Sequence, residues 1–349
     1  MDLFIPGRLC LFGEHSDWAA QYCQVNSALA PGYAIVVGTN QGISAKVQLY
    51  DRLLFHTINY PQSLDLAMER NLLLNTAQTD NFYGYVAGVA YEAMVRYGVG
   101  GLAIDNYAMS LPLKKGLSSS AAICVLVARA FNQLYKLGLT TEAEMDLAYC
   151  GERHTASQCG RLDQACAYGS QPILMTFKGD RTEIEPLAVG ANLYLIIVDL
   201  AGAKDTQTIL TQLNKCYPTA QNHIEAGVQK YLGQINQSIV QQAIGAIQHG
   251  DGAAIGQLMN LAQMNFDRYL TPACPSQLRS PILYKLLDRP SLKPYIYGGK
   301  GVGSQGDGTA QFICRDRRKR ELVMNIIEAD FPQMQCYELD IPQTQNKGK

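Results

Sequence analysis

Apolar positions recur with two different periods along this chain. In the first half, runs rich in apolar and β-branched residues predict strands at 32–39, 43–50, 101–111 and 172–177. Apolar residues at helical spacing predict helices at 82–97, 118–137 and 142–154. Asn40-Gln41-Gly42 separates the first two strands, and this sequence predicts a hairpin turn between them.

The pattern becomes helix-rich near residue 190. After a predicted strand at 193–199, four helices are expected at 206–213, 222–233, 235–249 and 253–269. Strands at 295–298, 309–314 and 335–339 and a helix at 318–329 complete the chain. The pattern predicts an α+β protein of two domains, residues 1–190 and 191–349.

Composition narrows the class of protein. The 349 residues are 47% apolar, which is enough for a large core, and Lys plus Arg (29) nearly balance Asp plus Glu (30). That balance argues against a nucleic-acid partner, and no apolar run is long enough for a membrane span. Ten scattered cysteines without a C-x-x-C pair indicate reduced thiols. With no signal-peptide pattern, we expect a cytoplasmic protein.

The segment from Pro6 to Trp18 is the first with candidate chemistry. A short apolar strand runs into Gly13 and then into Glu14, His15 and Asp17. A strand that leads into a glycine turn commonly delivers polar groups to a cleft. A solvated turn remains the alternative.

The second segment, 112–122, follows a predicted strand and opens a predicted helix. Gly116 allows a tight turn, and Ser118, Ser119 and Ser120 lie at the positive end of the helix, where unpaired N–H groups favour an anion such as phosphate. The lysines precede the glycine, so this is not the G-x-x-x-x-G-K-[ST] loop. Ordinary serine N-capping is the alternative, but capping needs one serine and not three.

Two further segments are weaker signals. In 298–308, six of eleven residues are glycine between two predicted strands, which indicates close passage past a ligand or the other domain. Glu152 ends a predicted helix, and Asp163 lies eleven positions later in 160–164. The two carboxylates could serve one metal–phosphate site; two surface acids are the alternative.

Together, and in this order, these segments resemble the GHMP kinase superfamily, which includes galactokinase, homoserine kinase and mevalonate kinase. Residues 6–18 are similar to the galactokinase signature, and residues 116–122 are similar to the phosphate loop of the superfamily. Residues 298–308 take the place of its third, glycine-rich motif. The resemblance implies an α+β fold of two domains, the first ribosomal-protein-S5-like and the second ferredoxin-like and helix-rich.

The resemblance also implies roles for individual residues. Asp163 would act as the base that deprotonates the acceptor hydroxyl, and Arg8 beside it would stabilise developing negative charge. Ser120 and Glu152 would hold Mg²⁺, while Glu14, His15 and Asp17 would bind sugar hydroxyls. ATP would lie against Lys115, Gly116, Leu117, Ser118, Ser119, Ser120 and Ala121.

The implied activity is ATP-dependent phosphorylation of a sugar hydroxyl, the anomeric (C1) hydroxyl of a hexose, pentose or uronic acid. Cys10 stands where galactokinases usually carry asparagine, and Trp18 where they carry tyrosine. The third motif, with Lys300 and Asp307, also differs from the usual form, so galactose is not the assigned substrate. A mevalonate-type kinase of a non-sugar alcohol and a catalytically silent sugar and ATP sensor are the alternatives.

Overall fold

The computed structural model describes residues 1–79, 81–112, 115–157 and 159–345. It divides into two compact units, the first made of Met1–Arg8 with Gly38–Ser170 and the second of Leu9–Val37 with Gln171–Lys349. Residues 9–37 thus group with the C-terminal part of the chain. The boundary at residue 190, drawn between two family domains, stays a prediction.

The chain combines runs of strands, which mostly pair antiparallel, with separate runs of helices, and this confirms the α+β class. The strands are β1 (Asp2–Phe12), β2 (Gly32–Leu49), β3 (Leu53–Thr57), β4 (Tyr60–Leu66), β5 (Leu102–Met109), β6 (Ile173–Lys178), β7 (Arg181–Pro186), β8 (Leu193–Asp199), β9 (Ile296–Gly301), β10 (Thr309–Cys314) and β11 (Gln335–Ile341). The helices are α1 (Ser16–Ala19), α2 (Arg70–Ala77), α3 (Tyr83–Tyr97), α4 (Ser119–Tyr135), α5 (Thr141–Arg153), α6 (Thr206–Asn214), α7 (His223–Lys230), α8 (Asn236–His249), α9 (Gly252–Tyr269), α10 (Pro275–Leu278), α11 (Pro281–Leu287) and α12 (Arg317–Asp330).

In the first unit, strands β4, β3, β5 and the second half of β2 are neighbours in that order. Only the β3–β5 pair among them is parallel, with Leu53 opposite Leu102 and Phe55 opposite Ile104. A parallel pair needs a crossover connection, and α2 and α3 lie in this one. Helices α3, α4 and α5 pack on one another, so the long apolar run of α4 is buried.

The predicted hairpin at residues 40–42 is wrong. Strand β2 is continuous from Gly32 to Leu49, and it runs straight through Asn40-Gln41-Gly42. Gly42 exchanges hydrogen bonds with Ser110, and a Cβ at Gly42 would lie 2.4–2.5 Å from atoms of Phe4 and Ile5. The glycine therefore permits the close approach of the neighbouring strand β1 and does not form a turn.

In the second unit, the first half of β2 pairs antiparallel with β6, which pairs antiparallel with β7. A separate antiparallel sheet has the order β11, β8, β10, β9. Helix α12 packs on this sheet through Val323 and Ile327, which join Ile196, Val198 and Phe312 in one buried cluster. Strands β8 and β10 lie in the middle of this sheet, and most of their residues are apolar and buried.

Most predicted elements are present within a few residues of their predicted ends. Helix α3 ends at Gly98, which adopts the left-handed conformation common at helix C-termini. The predicted link between the helices at 222–233 and 235–249 is instead one π-helical turn, Tyr231–Ile235, that joins α7 to α8. The pattern missed the edge strands β4 and β7, the interior strand β3 and the short helix α2.

Candidate functional site

Three polar clusters contain the predicted site residues. The first, the aspartate cluster, consists of Arg8, Ser118 and Asp163 and lies within the first unit. A guanidinium N–H of Arg8 donates to Asp163 Oδ1, and the Ser118 hydroxyl donates to the same oxygen at 2.7 Å. The Arg8 side chain is 9% exposed and that of Asp163 is 26% exposed. A carboxylate held by two donors but open to solvent is oriented and still accessible to a small molecule.

Ser118 contacts Asp163 from the position just before helix α4. It precedes α4 in the left-handed conformation (φ 57°), and its side chain makes no capping hydrogen bond. Because its hydroxyl donates to Asp163, the first N–H groups of α4 are not capped by it. Gly116, at φ 76°, turns the chain just before this point.

The remaining loop residues frame this helix start. Lys115, Ser119 and Ser120 are half-buried, and Leu117 and Ala121 are buried. Leu113 and Lys114, which belong to the same sequence segment, lie outside the described residues. An uncapped helix N-terminus next to accessible hydroxyls is a suitable environment for phosphate oxygens.

The second cluster, the glutamate cluster, surrounds Glu152 near the end of α5. Its carboxylate is fully buried and accepts from Gln164 Nε2 at 2.8 Å and from the Ser157 hydroxyl at 3.1 Å. Burial, and to a smaller degree the negative charge of Asp163, raises the pKa of Glu152. Hydrogen bonds from Ser120, Gln164 and Ser157 act in the opposite direction on that pKa.

The donor set of the glutamate cluster fits Mg²⁺. Ser120 and Glu152 offer a hydroxyl and a carboxylate, and the buried Gln164 Oε1 has no hydrogen-bond partner among the described residues. Mg²⁺ prefers oxygen ligands and usually takes only one or two protein carboxylates, completing its shell with phosphates and water. The described residues contain no group of three or more His, Cys, Asp or Glu that could enclose a metal without such help.

The third cluster, the histidine cluster, consists of Glu14, His15, Lys204 and Lys300 and lies within the second unit. The turn after β1 places its first two members. Gly13 has φ 96°, and a Cβ there would lie 2.1 Å from the carbonyl oxygen of Tyr33. His15 itself is left-handed (φ 68°) at the start of α1. A non-glycine residue in this conformation is uncommon and indicates a constrained position.

His15 is a buried neutral imidazole with a defined tautomer. The indole N–H of Trp18 can only donate, and it donates to His15 Nδ1 at 3.1 Å. The ring proton is therefore on Nε2. Burial first, and then the positive charge of Lys204, lowers the pKa of His15 from 6.5 to about 4. Lys300 contributes in the same direction, while a hydrogen bond with the backbone of Ser304 opposes the shift in the pKa of His15.

Glu14 is bound by a residue that the sequence did not connect to it. The Lys300 ammonium donates to Glu14 Oε1 and to the carbonyl oxygen of Gly301 at 3.0 Å. The two side chains are 1% and 5% exposed, so this is a buried ion pair. Nothing local could reveal the contact, because 286 residues separate its partners. Asp17 lies in the first turn of α1 and is partly exposed.

The glycine-rich segment serves packing within the second unit. A Cβ at Gly298 would lie 2.0 Å from the carbonyl oxygen of Gly256, so strand β9 and helix α9 require glycine where they cross. A Cβ at Gly308 would lie 2.6–2.9 Å from the end of the Lys204 side chain. Asp307 accepts from the backbone N–H groups of Ile282 and Leu283 and so caps α11.

A cavity of about 780 Å³ lies elsewhere in the second unit, against α9, α11 and β9. Asp267, Tyr284 and Arg315 are among the residues that line it, and none of the predicted site residues does so. The Tyr284 hydroxyl donates to Asp267, which is half-buried. The cavity therefore contributes nothing to the three clusters.

Known proteins match this chain over part of its length in sequence and over nearly all of it in structure. Residues 84–170 match the family model described as the GHMP kinases N terminal domain. A galactokinase of Thermococcus kodakarensis is 25% identical over 285 residues, which are 74% of this chain and 75% of that protein. A galactokinase of Thermotoga petrophila is 29% identical over 179 residues, 49% of this chain but only 44% of that protein.

Solved structures share the fold at low sequence identity. Lactococcus lactis galactokinase complexed with galactose has a TM-score of 0.73 and 16% identity, over 99% of this chain and 95% of that one. Methanococcus jannaschii mevalonate kinase has a TM-score of 0.72 and 16% identity, over 99% and 98%. These matches confirm the resemblance that the sequence motifs predicted. Galactokinases are among the relatives of this chain in sequence. The chain is similar to the GHMP kinases and has the α+β fold of that group.

Proposed function

We propose that this protein is an ATP-dependent kinase that phosphorylates a sugar hydroxyl, the anomeric hydroxyl of a hexose, pentose or uronic acid. The observation that supports it most directly is Asp163, an accessible carboxylate oriented by Arg8 and Ser118 through the same oxygen. Curated relatives that match the chain are galactokinases. The fold alone does not choose the substrate, because mevalonate kinase shares it.

In the proposed reaction Asp163 accepts the proton of the acceptor hydroxyl. Both described hydrogen bonds end on Oδ1, so we assign Oδ2 to this step. The oxygen that loses its proton attacks the terminal phosphorus, and the bond to the departing ADP oxygen breaks. Arg8 orients Asp163 and stabilises negative charge that develops beside it. Phosphoryl transfer depends mainly on such placement and charge stabilisation.

The helix start and the glutamate cluster serve the nucleotide in this proposal. The uncapped N–H groups of α4 and the hydroxyls of Ser119 and Ser120 bind phosphate oxygens. Ser120 and Glu152 would hold Mg²⁺, which when bound neutralises phosphate charge. Glu14, His15 and Asp17 would bind the sugar, with the Nε2–H of His15 as a donor and not as a base.

We place the enzyme in the cytoplasm and assign it no nucleic-acid partner; its oligomeric state is open. Among the described residues, no helix is long and apolar enough to cross a membrane.

An ADP-release assay with ATP, Mg²⁺ and a panel of sugars, with mevalonate as the non-sugar control, tests the proposal. Asp163→Asn keeps the size of the side chain but removes the base. We expect its turnover to fall about 10²–10⁴-fold while ATP and sugar still bind. Near-normal turnover of this variant would remove Asp163 from the mechanism. A parent protein that binds sugar and ATP without releasing ADP would be the silent sensor.

A further inference from the structure

The cavity against α9, α11 and β9 supplies no residue to the three clusters, and the residues that line it belong to the second unit. Its volume of about 780 Å³ lies within the range of small-molecule sites, about 300–1,000 Å³. Part of the wall is apolar and consists of Met264, Leu287, Ile296, Tyr297 and Phe312. The cavity therefore has room and apolar surface for an organic molecule, and not only for an inorganic ion.

Three basic side chains from different segments line this cavity. They are Arg268 near the end of α9, Lys293 before β9 and Arg315 after β10. Within the part of the chain that the structure describes, none of the three forms an ion pair within 4.0 Å of a carboxylate. The guanidinium of Arg315 lies 5.5 Å from the ring centre of Tyr297, and Lys293 Nζ donates to the carbonyl oxygen of Leu287 at 2.8 Å. These contacts orient two of the charges without neutralising them.

Two acids also line the cavity, and hydrogen bonds hold one of them in place. Asp267 accepts from Gln263 Nε2 at 3.0 Å and from the Tyr284 hydroxyl. Gln263 is buried and accepts from the backbone N–H of Gly301 at 2.8 Å, so this part of the wall is fixed to β9. The other acid, Asp288, is exposed. A carboxylate can accept about four hydrogen bonds, so Asp267 can accept more of them from the hydroxyl groups of a ligand.

We propose that this cavity binds a phosphorylated carbohydrate, either a sugar phosphate or the ribose phosphate of a nucleotide. Arg268, Lys293 and Arg315 bind the phosphate oxygens, because guanidinium groups match phosphate in a bidentate manner and an ammonium adds a point charge. Asp267 accepts hydrogen bonds from the sugar hydroxyls, and the exposed ring of Tyr297 packs against the sugar or the base.

The charges of the cavity favour phosphate over a carboxylate. Three cations face two acids, and a phosphate monoester carries a charge of about −1.5 to −2 at neutral pH, where a carboxylate carries only one. The proposal does not rest on the kinase reaction, and it adds a second ligand to the protein.

Titration calorimetry of the full chain tests the site with defined probes. Glucose 6-phosphate and AMP represent the two sources of a phosphorylated carbohydrate, glucose and adenosine lack the phosphate, and inorganic phosphate lacks the carbohydrate. We expect glucose 6-phosphate or AMP to bind at least about tenfold more tightly than inorganic phosphate and than its own unphosphorylated partner, as charge-assisted hydrogen bonds allow.

Variants of the cavity show where the probe binds. Arg315→Met and Arg268→Met keep an apolar stem and remove a charge, and each should weaken binding of the phosphorylated probe about 10–100-fold. Arg318→Met, at an exposed arginine of α12 that does not line the cavity, is the matched control and should leave binding unchanged. Ser120→Ala alters the proposed nucleotide site at α4 and should not change binding to the cavity. Melting temperatures show whether each variant is folded.

Binding that both cavity variants weaken, and that Ser120→Ala and Arg318→Met leave intact, would support the proposal. The tighter of glucose 6-phosphate and AMP then identifies the source of the phosphate. Failure of both probes to bind, or binding that Arg315→Met and Arg268→Met do not change, would overturn it. Equally tight binding of inorganic phosphate, or of glucose or adenosine, would also overturn it. ADP release measures the kinase reaction separately, so each of these results leaves the proposed function to its own test.

Discussion

The buried ion pair between Glu14 and Lys300 gives a stability prediction that needs no substrate. Lys300→Met removes the ammonium and keeps an apolar stem of similar length. The carboxylate of Glu14 is then left in a site where its side chain is 5% exposed. Breaking a buried pair by removing one partner costs about 3–5 kcal/mol, because the remaining charge is uncompensated.

This loss of unfolding free energy corresponds to a shift in melting temperature. For a folded unit of 150–250 residues, each kcal/mol corresponds to roughly 2–4 °C, so Lys300→Met should lower the transition of the second unit by roughly 6–20 °C. Scanning calorimetry of the full chain measures this shift. The double variant Glu14→Gln with Lys300→Met contains no isolated charge and should recover most of the loss, since neutral replacements of buried pairs are often tolerated.

A matched surface pair provides the control. Arg289 and Asp330 form an ion pair at 2.7 Å whose side chains are 41% and 30% exposed. Arg289→Met should cost no more than about 1 kcal/mol, as exposed pairs do. The reasoning fails if Lys300→Met costs as little as this control. It also fails if the double variant is no more stable than Lys300→Met alone, since the loss would then come from packing and not from the unpaired carboxylate.

Three further predictions concern other residues of the clusters. Ser120→Ala should raise the Mg²⁺–ATP requirement of the kinase reaction more than the sugar KM; a rise in the sugar KM alone would place this loop against the wrong ligand. Asp17→Ala should weaken sugar binding with ATP binding intact, and deoxy sugars that lack the contacted hydroxyl should be poor substrates for the parent but little worse for the variant. Penalties that simply add for every deoxy sugar would remove Asp17 from the sugar site. His15→Gln should alter the pH dependence of stability. The folded pKa of His15 is lowered from 6.5 to about 4, so between these values the unfolded chain binds a proton that the native chain does not. The parent should therefore lose up to about 3 kcal/mol as the pH falls from 6.5 to 4, a loss that His15→Gln lacks; parallel stability curves for the two proteins would contradict this.

Local patterns predicted the elements whose signals are complete within a few turns. Helix α4 is an almost unbroken apolar run after three serines, and it is found from Ser119 to Tyr135. The hairpin at Gly42 failed because the same glycine can serve a turn or the close approach of another strand. The sequence around Gly42 does not reveal that Phe4 and Ile5 pack against it. Only the pairing of distant strands decides between the two.

The residues of the candidate site, like the helices and strands, could be predicted only where the signal is local. Arg8, Glu152 and Asp163 could be selected because motifs with a known order surround them. Lys204 and Lys300 could not be selected, because each lies nearly two hundred residues or more from the segment 6–18 that it contacts or influences. Nothing in the sequence around either lysine indicates that it is buried. Ser118, which is predicted to bind phosphate, also donates to Asp163, and its local sequence does not indicate this contact because the two residues are 45 positions apart.

Three features of the second unit act on the imidazole of His15. Trp18 donates to Nδ1 and thereby fixes the ring proton on Nε2. Lys300 forms a buried ion pair with Glu14, the residue next to His15. Lys204, whose side chain lies against Gly306 and Gly308, lowers the pKa of the same ring by its positive charge. Each of them favours a neutral imidazole, which can donate a hydrogen bond through Nε2–H but is a poor base at neutral pH. The assignment of proton abstraction to Asp163 and of hydroxyl binding to His15 follows from this difference.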